Sequence, residues 1–245
     1  MRRRKPSRKS NRRKSLLRRF VARTVRWCVA VSILLVLLTV IQVAALRVVD
    51  PPVTVCMATG WAWGVVRGEP YKKPAYYWQD GKDISIFLKR AVLAAEDQRF
   101  LQHSGFDFTE MGIALKDLFA NRKVRGASTI TMQTARTVFL WPSRTVSRKL
   151  AEAYYTAWME LLLPKERILE LYLNTVDWGD GIMGAEAAAR KYFQTGADRL
   201  TRDQAVRLAS ILPNPHRWSP TKSSDYLRHR RWRIRRDMDK MHIPK

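Results

Sequence analysis

At 245 residues the chain has room for one sizeable domain plus appendages, which leaves no space for a second domain of similar size. Its formal net charge of +25 calls for a polyanionic partner, and charge alone does not separate nucleic acid, anionic lipid and a phosphorylated substrate. Two cysteines exclude a disulfide-stapled scaffold, and no metal-ligand spacing is present.

The charge is uneven. Residues 1–26 hold thirteen Lys and Arg and no acid, so +12 remains for the rest of the chain. Trp27 to Leu46 follows, twenty residues without a formal charge, centred on Ile33 to Leu38. At about 1.5 Å per residue, a helix of this length crosses the ~30 Å hydrocarbon core. Only a helix satisfies its backbone there. The stretch is too long for the apolar region of a cleaved signal peptide. Positive-inside bias places residues 1–26 in the cytoplasm and everything after Arg47 outside. Cys28 and Cys56 then lie near opposite ends of the span and cannot pair, so the external domain relies on its apolar core.

Residues 47–83 read as a juxtamembrane linker of irregular or short extended structure. Pro51, Pro52, Pro70 and Pro74 punctuate it, with Trp61, Trp63, Tyr71, Tyr76, Tyr77 and Trp78 between them. Such aromatics ordinarily pack, with the membrane interface as the other option. From Ile84 the period turns helical. Helices are expected over Ile84 to about His103, Thr109 to Asn121, Thr129 to Leu140, Thr145 to Leu163, and Lys165 to Asn174. After a glycine-bearing loop, Trp178 to Gly184, another covers Ala185 to Phe193. Thr201 with Gln204 forms a capping box for the helix that ends before Pro213, and a last basic helix spans Asp225 to Met241. The fold class is predominantly α. Its parts are a tail (1–26), a span (27–46), a linker (47–83) and a domain (84–245).

Two clusters carry chemistry. The first is Glu96-Asp97-Gln98-Arg99-Phe100-Leu101-Gln102-His103-Ser104-Gly105, at the end of an apolar run. Adjacent helical residues point about 100° apart, so Glu96 and Asp97 cannot share one role. A carboxylate against an apolar wall is pushed up in pKa and can act as a general base near neutral pH. An ordinary surface Glu-Asp pair is the bland alternative. The second cluster opens with Gly126-Ala127-Ser128-Thr129-Ile130-Thr131-Met132-Gln133 and runs on to Glu152. Between Leu118 and Ala151 lie seven basic residues (Arg122, Lys123, Arg125, Arg136, Arg144, Arg148 and Lys149) and no acid. A glycine turn and hydroxyls ahead of a helix suit phosphate oxygens. The admixture of Ile130, Phe139, Leu140 and Trp141 speaks for a lined groove rather than a solvated basic face.

With Lys165-Glu166-Arg167-Ile168-Leu169-Glu170-Leu171-Tyr172-Leu173-Asn174 and Gly184-Ala185-Glu186-Ala187-Ala188-Ala189-Arg190-Lys191-Tyr192-Phe193, these clusters resemble the successive motifs of the peptidoglycan glycosyltransferase family. The resemblance covers about residues 84–220, and Glu-Asp-x-x-Phe-x-x-His-x-Gly is its most specific part. Too little chain follows Pro213 for a penicillin-binding domain, so the likeness is to the monofunctional branch. The resemblance implies a lysozyme-like α fold with a second lobe facing the membrane. It implies that lipid II is polymerised outside the bacterial inner membrane. Glu96 matches the base that deprotonates the acceptor, and Glu152 a second, supporting carboxylate. Ser128, Thr129, Gln133, Arg136, Arg144, Arg148 and Lys149 match residues that hold substrate and the departing pyrophosphate. Asp97, Phe100, His103, Gly105, Tyr172 and Asn174 support the motifs. A divalent cation, magnesium or manganese, at the lipid diphosphate is left open, with no metal held by protein ligands alone. Expected partners are lipid II, the growing lipid-linked strand, the membrane and other cell-wall synthases.

Two departures stand out. Met132-Gln133 replaces the family's Gln pair, and Arg136-Thr137 replaces Lys-Asn. His103 is expected to be a hydrogen-bonded structural histidine, and the basic C-terminal helix to rest on protein or headgroups. The apolar residues from Phe106 to Phe119 divide between core and membrane contact. The nearest rival function is a lytic enzyme acting on finished peptidoglycan, which has no need of a pyrophosphate site. A membrane-tethered nucleic-acid-binding protein, suggested by the charge, is opposed by the topology.

Overall fold

The computed structural model describes residues 8–68, 74–120, 122, 126–143 and 145–244, with side chains from Arg18 onward. These fall into two compact units that divide after Gln42. The first holds helix α1 (Arg8–Ala45) up to Gln42, and the helix includes a 28-residue stretch, Arg18–Ala45, long and apolar enough to cross a membrane. The helix begins well before Trp27 because Lys and Arg are good helix formers, so the basic tail continues the helix rather than capping it.

The second unit departs from the expected irregular linker. Helix α2 (Val55–Val66) occupies its middle. Thr54 starts that helix by accepting from the Met57 amide at 3.2 Å. Two glycines, β-branched residues and flanking prolines hide the helix from propensity, and packing against α5 (Ile130–Phe139) supports it. Short extended structure follows as expected. Strand β1 (Ala75–Tyr76) pairs in parallel with β2 (Ile182–Met183), in register Ala75 to Ile182. Pro70 and Tyr71 lie outside the described residues.

The segment leaving α1 is tied down by Arg167. Its guanidinium donates to the carbonyls of Leu46 at 2.7 Å and Val49 at 3.0 Å, and pairs with Asp50 at 2.7 Å. The same group pairs with Glu170 and stacks 5.1 Å over Trp78. Tyr76 donates to the Pro51 carbonyl at 2.6 Å.

Helix α3 (Ile86–Glu96) stops seven residues before its expected end, His103. The cause is Asp97, whose buried carboxylate accepts from the Ile130 amide at 2.9 Å and from His103 at 2.9 Å. That tertiary bond competes with continuation of the helix. Helix α4 (Phe108–Phe119) buries none of its residues, and Phe108 and Phe119 are largely exposed, which removes the core reading of this stretch. Helices α6 (Val146–Leu162), α7 (Lys165–Thr175), α8 (Ala185–Phe193) and α9 (Arg202–Ile211) lie within a residue or two of expectation. The Thr201–Gln204 capping box is present. Helix α10 (Asp225–Asp237) tightens into a short 3-10 turn, Met238–Lys240.

Helix α5 packs between α6 and α7, α3 against α9, and α10 against both α9 and α3. Leu88, Leu93, Phe100, Met159, Tyr172 and Trp178 fill the core between them. Gly184 lets the loop after α7 close on that helix. Its φ is +83°, and an added Cβ would stand 2.4 Å from the Asn174 carbonyl oxygen. Gly184→Ala is therefore expected to cost more than about 2 kcal/mol through clash plus backbone strain. Gly181→Ala, at φ +71° with open space around it, should cost only about 1–2 kcal/mol. Denaturation midpoints of the two variants check the order, and equal losses would remove the close approach from the account.

Candidate active site

Glu96 is the last residue of α3, and its side chain is 13% exposed. Three other helices converge on it. From α5, Gln133 donates through Nε2 to Oε2 at 3.1 Å. From α10, Arg230 donates through Nη2 to Oε1 at 2.8 Å. Arg230 is itself held by the carbonyls of Ser210 at 3.1 Å and Ala95 at 3.3 Å. From α7, the Tyr172 hydroxyl donates to Gln133 Oε1 at 3.3 Å. Burial first, and then the charge of Glu96, keep the Tyr172 hydroxyl protonated far above its ordinary range. Tyr172 therefore stays a donor, which fixes Gln133 with its oxygen toward the tyrosine and its nitrogen toward the carboxylate.

Desolvation pushes the Glu96 carboxyl above the usual carboxylate range, while Arg230, Gln133 and the more distant charge of Arg136 pull it down. The balance is upward, which suits a proton acceptor working near neutrality.

A second cluster surrounds Glu152, fully buried on α6. Arg148 and Lys149, one turn earlier, each pair with one of its oxygens. Lys149 also donates to Ser128 Oγ at 3.2 Å, joining this helix to the turn before α5. Arg148 and Arg136 line an open cavity of about 490 Å³ with Pro142 and Ser143. Arg136 is exposed on α5, one helical turn beyond Gln133. Arg144 lies outside the described residues.

The expected site residues thus divide. Glu96, Gln133 and Tyr172 come together; Arg136 and Arg148 line the groove, and Glu152, Lys149 and Ser128 are joined to Arg148. The others hold the frame. Asp97 and His103 join the end of α3 to the start of α5, as expected for a structural histidine. Thr129 caps α5 and donates to the Gly105 carbonyl at 2.7 Å, so its hydroxyl is engaged away from the groove. Phe100 is buried beneath Lys165, whose ammonium sits 4.4 Å from the ring centre. Gly105 has φ +84°, and an added Cβ there would run into the side chains of Thr156 and Glu160. Asn174 exchanges two 2.8 Å hydrogen bonds with the backbone of Gln79. Met132 is buried at 4% exposure, in an environment that suits its thioether.

Arg230 is the residue that sequence reasoning missed, having been grouped with its arginine neighbours on α10. The signal was present. Leu227, Ile234 and Met238 form the buried stripe of this segment, and Arg230 fills the helical step between the first two. A charge standing in an apolar stripe calls for a buried partner.

A family model described as transglycosylase matches residues 67–239. The biosynthetic peptidoglycan transglycosylase of Pseudomonas putida (strain W619) is 45% identical over 230 residues, 94% of either chain. That of Pseudomonas entomophila (strain L48) is also 45% identical, over 94% of either chain. The protein of the same description from Xanthomonas campestris pv. campestris (strain B100) is 42% identical over 210 residues, 85% of either chain.

Arg230 lowers the pKa of Glu96, so its removal should raise it further. A base acts only when ionised, and activity is lost as pH falls through its pKa. Arg230→Gln is therefore expected to move the acidic limb of the pH–rate profile to higher pH. An unmoved limb would separate Arg230 from the chemistry.

Proposed function

The chain belongs to the biosynthetic peptidoglycan transglycosylase family, and from that premise we propose how its residues divide the work. The protein is a peptidoglycan glycosyltransferase of bacterial cell-wall synthesis, and its domain has the lysozyme-like, predominantly α fold. Helix α1 fits a single-pass membrane anchor. The finer reading is that lipid II is polymerised at the outer face of the inner membrane, with the N-terminal tail cytoplasmic and the domain periplasmic. Helix α4 forms the lobe turned toward the bilayer, and other cell-wall synthases are its protein partners.

In this reading the ionised carboxylate of Glu96 takes the proton from the acceptor's 4-hydroxyl. The oxygen then attacks the anomeric carbon of the lipid-linked donor, the bond to the diphosphate breaks, and undecaprenyl pyrophosphate leaves with inversion. Gln133 and Arg230 hold the base in place. Arg136, Arg148 and Lys149 meet the charge that develops on the leaving diphosphate, and Arg144 joins them from the sequence pattern. Glu152 serves by fixing Arg148 and Lys149. The observation that supports the reading is the spacing on α5: Gln133, which donates to Glu96, and Arg136, which lines the cavity, stand one helical turn apart.

A protein-held divalent cation does not fit. Among the described residues there is no group of His, Cys, Asp and Glu that could hold one, and Glu152 is already paired twice. A cation arriving on the diphosphate is the remaining route, and no step is assigned to it.

Two substitutions test the division of roles. Glu96→Gln keeps the shape and most hydrogen bonding but cannot take a proton. Polymer formed from labelled lipid II should fall by at least about 10²-fold. Turnover within about threefold of the parent would take the base role away from Glu96. Arg148→Ala removes a charge-assisted phosphate contact worth roughly 2–4 kcal/mol, about thirty- to a thousand-fold in rate. Lys149 still pairs Glu152, so the denaturation midpoint should move little. A rate loss matched by a large loss of stability would mean that Arg148 only supports the fold.

A further inference from the structure

We propose that α2 is a second membrane-contacting element, a helix lying in the lipid interface beside the exit of α1. The proposal rests on the reading of α1 as a span. It concerns a different element from α4.

Pro51 to Val66 contains no Asp, Glu, Lys, Arg, His, Asn or Gln. Its two polar side chains are spent internally. Thr54 caps the helix, and Thr59 donates to the Val55 carbonyl at 2.8 Å. The first half of α2 is half-buried and the helix packs on α5, whereas its second half is open: Trp61 is 53% exposed, Trp63 57%, Val65 58% and Val66 75%. Four large apolar side chains within six residues form an exposed patch that water penalises.

The chain's own path identifies lipid as the occupant. The uncharged run of α1 ends at Leu46, and Arg167 and Tyr76 hold Leu46, Val49, Asp50 and Pro51 against the domain. Only three residues separate Pro51 from Val55, a reach of at most about 14 Å over four steps. The helix therefore starts close to the fixed point where the chain leaves the bilayer. Paired tryptophans belong at the membrane–water boundary. At the helix end, Arg67 stacks 5.9 Å over Trp63, an arrangement that leaves the cation at headgroup level. Apolar area and a flanking cation are what an in-plane helix uses to bind.

The full-length protein, with Cys28→Ala and Cys56→Ala, would be placed in nanodiscs of phosphatidylethanolamine and phosphatidylglycerol. Spin labels at Val66→Cys, Leu35→Cys and Ser223→Cys would be compared for collision with oxygen and with a water-soluble nickel chelate. The expected result is nickel access at Val66 at least about threefold below that at Ser223, with oxygen access raised toward that of Leu35. Nickel access at Val66 equal to that at Ser223, while Leu35 stays protected, would overturn this proposal and leave the span intact. Access at Leu35 as well would overturn both. Low access to both probes at Val66 would mean a protein covers the patch, and would overturn the lipid assignment.

Discussion

The Glu96 carboxylate, the base in the proposed mechanism, is buried where charge is disfavoured, and much of the fold answers to that conflict. Desolvation pushes Glu96 upward, and Arg230 and Gln133 restrain it. The fold binds the Glu96 proton more tightly than the unfolded chain does. Its contribution to stability is therefore full below the ordinary carboxylate pKa and is lost as pH rises through the raised folded value. The proposed mechanism uses the ionised form, which lies on the less stable side of that window. Helices α3, α5, α7 and α10 are held in mutual register by the groups that make ionisation tolerable.

The second carboxylate is handled in the opposite way. Glu152 is buried on α6 with a cation on each oxygen, so its charge is consumed locally. Its effect is to aim Arg148 and Lys149, which would otherwise repel each other, toward the groove and Ser128. Among the described residues Glu96 is paired with one cation, Arg230, and Glu152 with two. Both sit on helices rather than loops, which holds their geometry tightly.

Most helices could be read in the chain because local rules decide them. Thr129, Thr145 and Thr201 cap where a cap is expected, and Pro164 ends one helix and opens the next. The misreadings share one cause, a tertiary partner distant in sequence. Asp97 ends α3 early because it is drawn to Ile130, thirty-three residues on. Helix α2 forms against α5 despite its glycines. Arg230 looked like one arginine among many until α10 brought it to Glu96, 134 residues away. The groove's basic residues were legible because they cluster in sequence. The restraint on the base was not, because its parts are scattered along the chain.

The hold of Arg167 on Leu46, Val49 and Asp50 has a consequence for encounter. A flexible tether would let the domain wander through a volume above the membrane, and the local concentration of the site at any one height would fall accordingly. With Leu46 to Asp50 held on the domain, the chain available as such a tether is short. On the proposed reading, enzyme and lipid-linked sugar would search for each other by lateral diffusion, much as two molecules confined to a film, with part of the translational entropy of meeting surrendered before they touch.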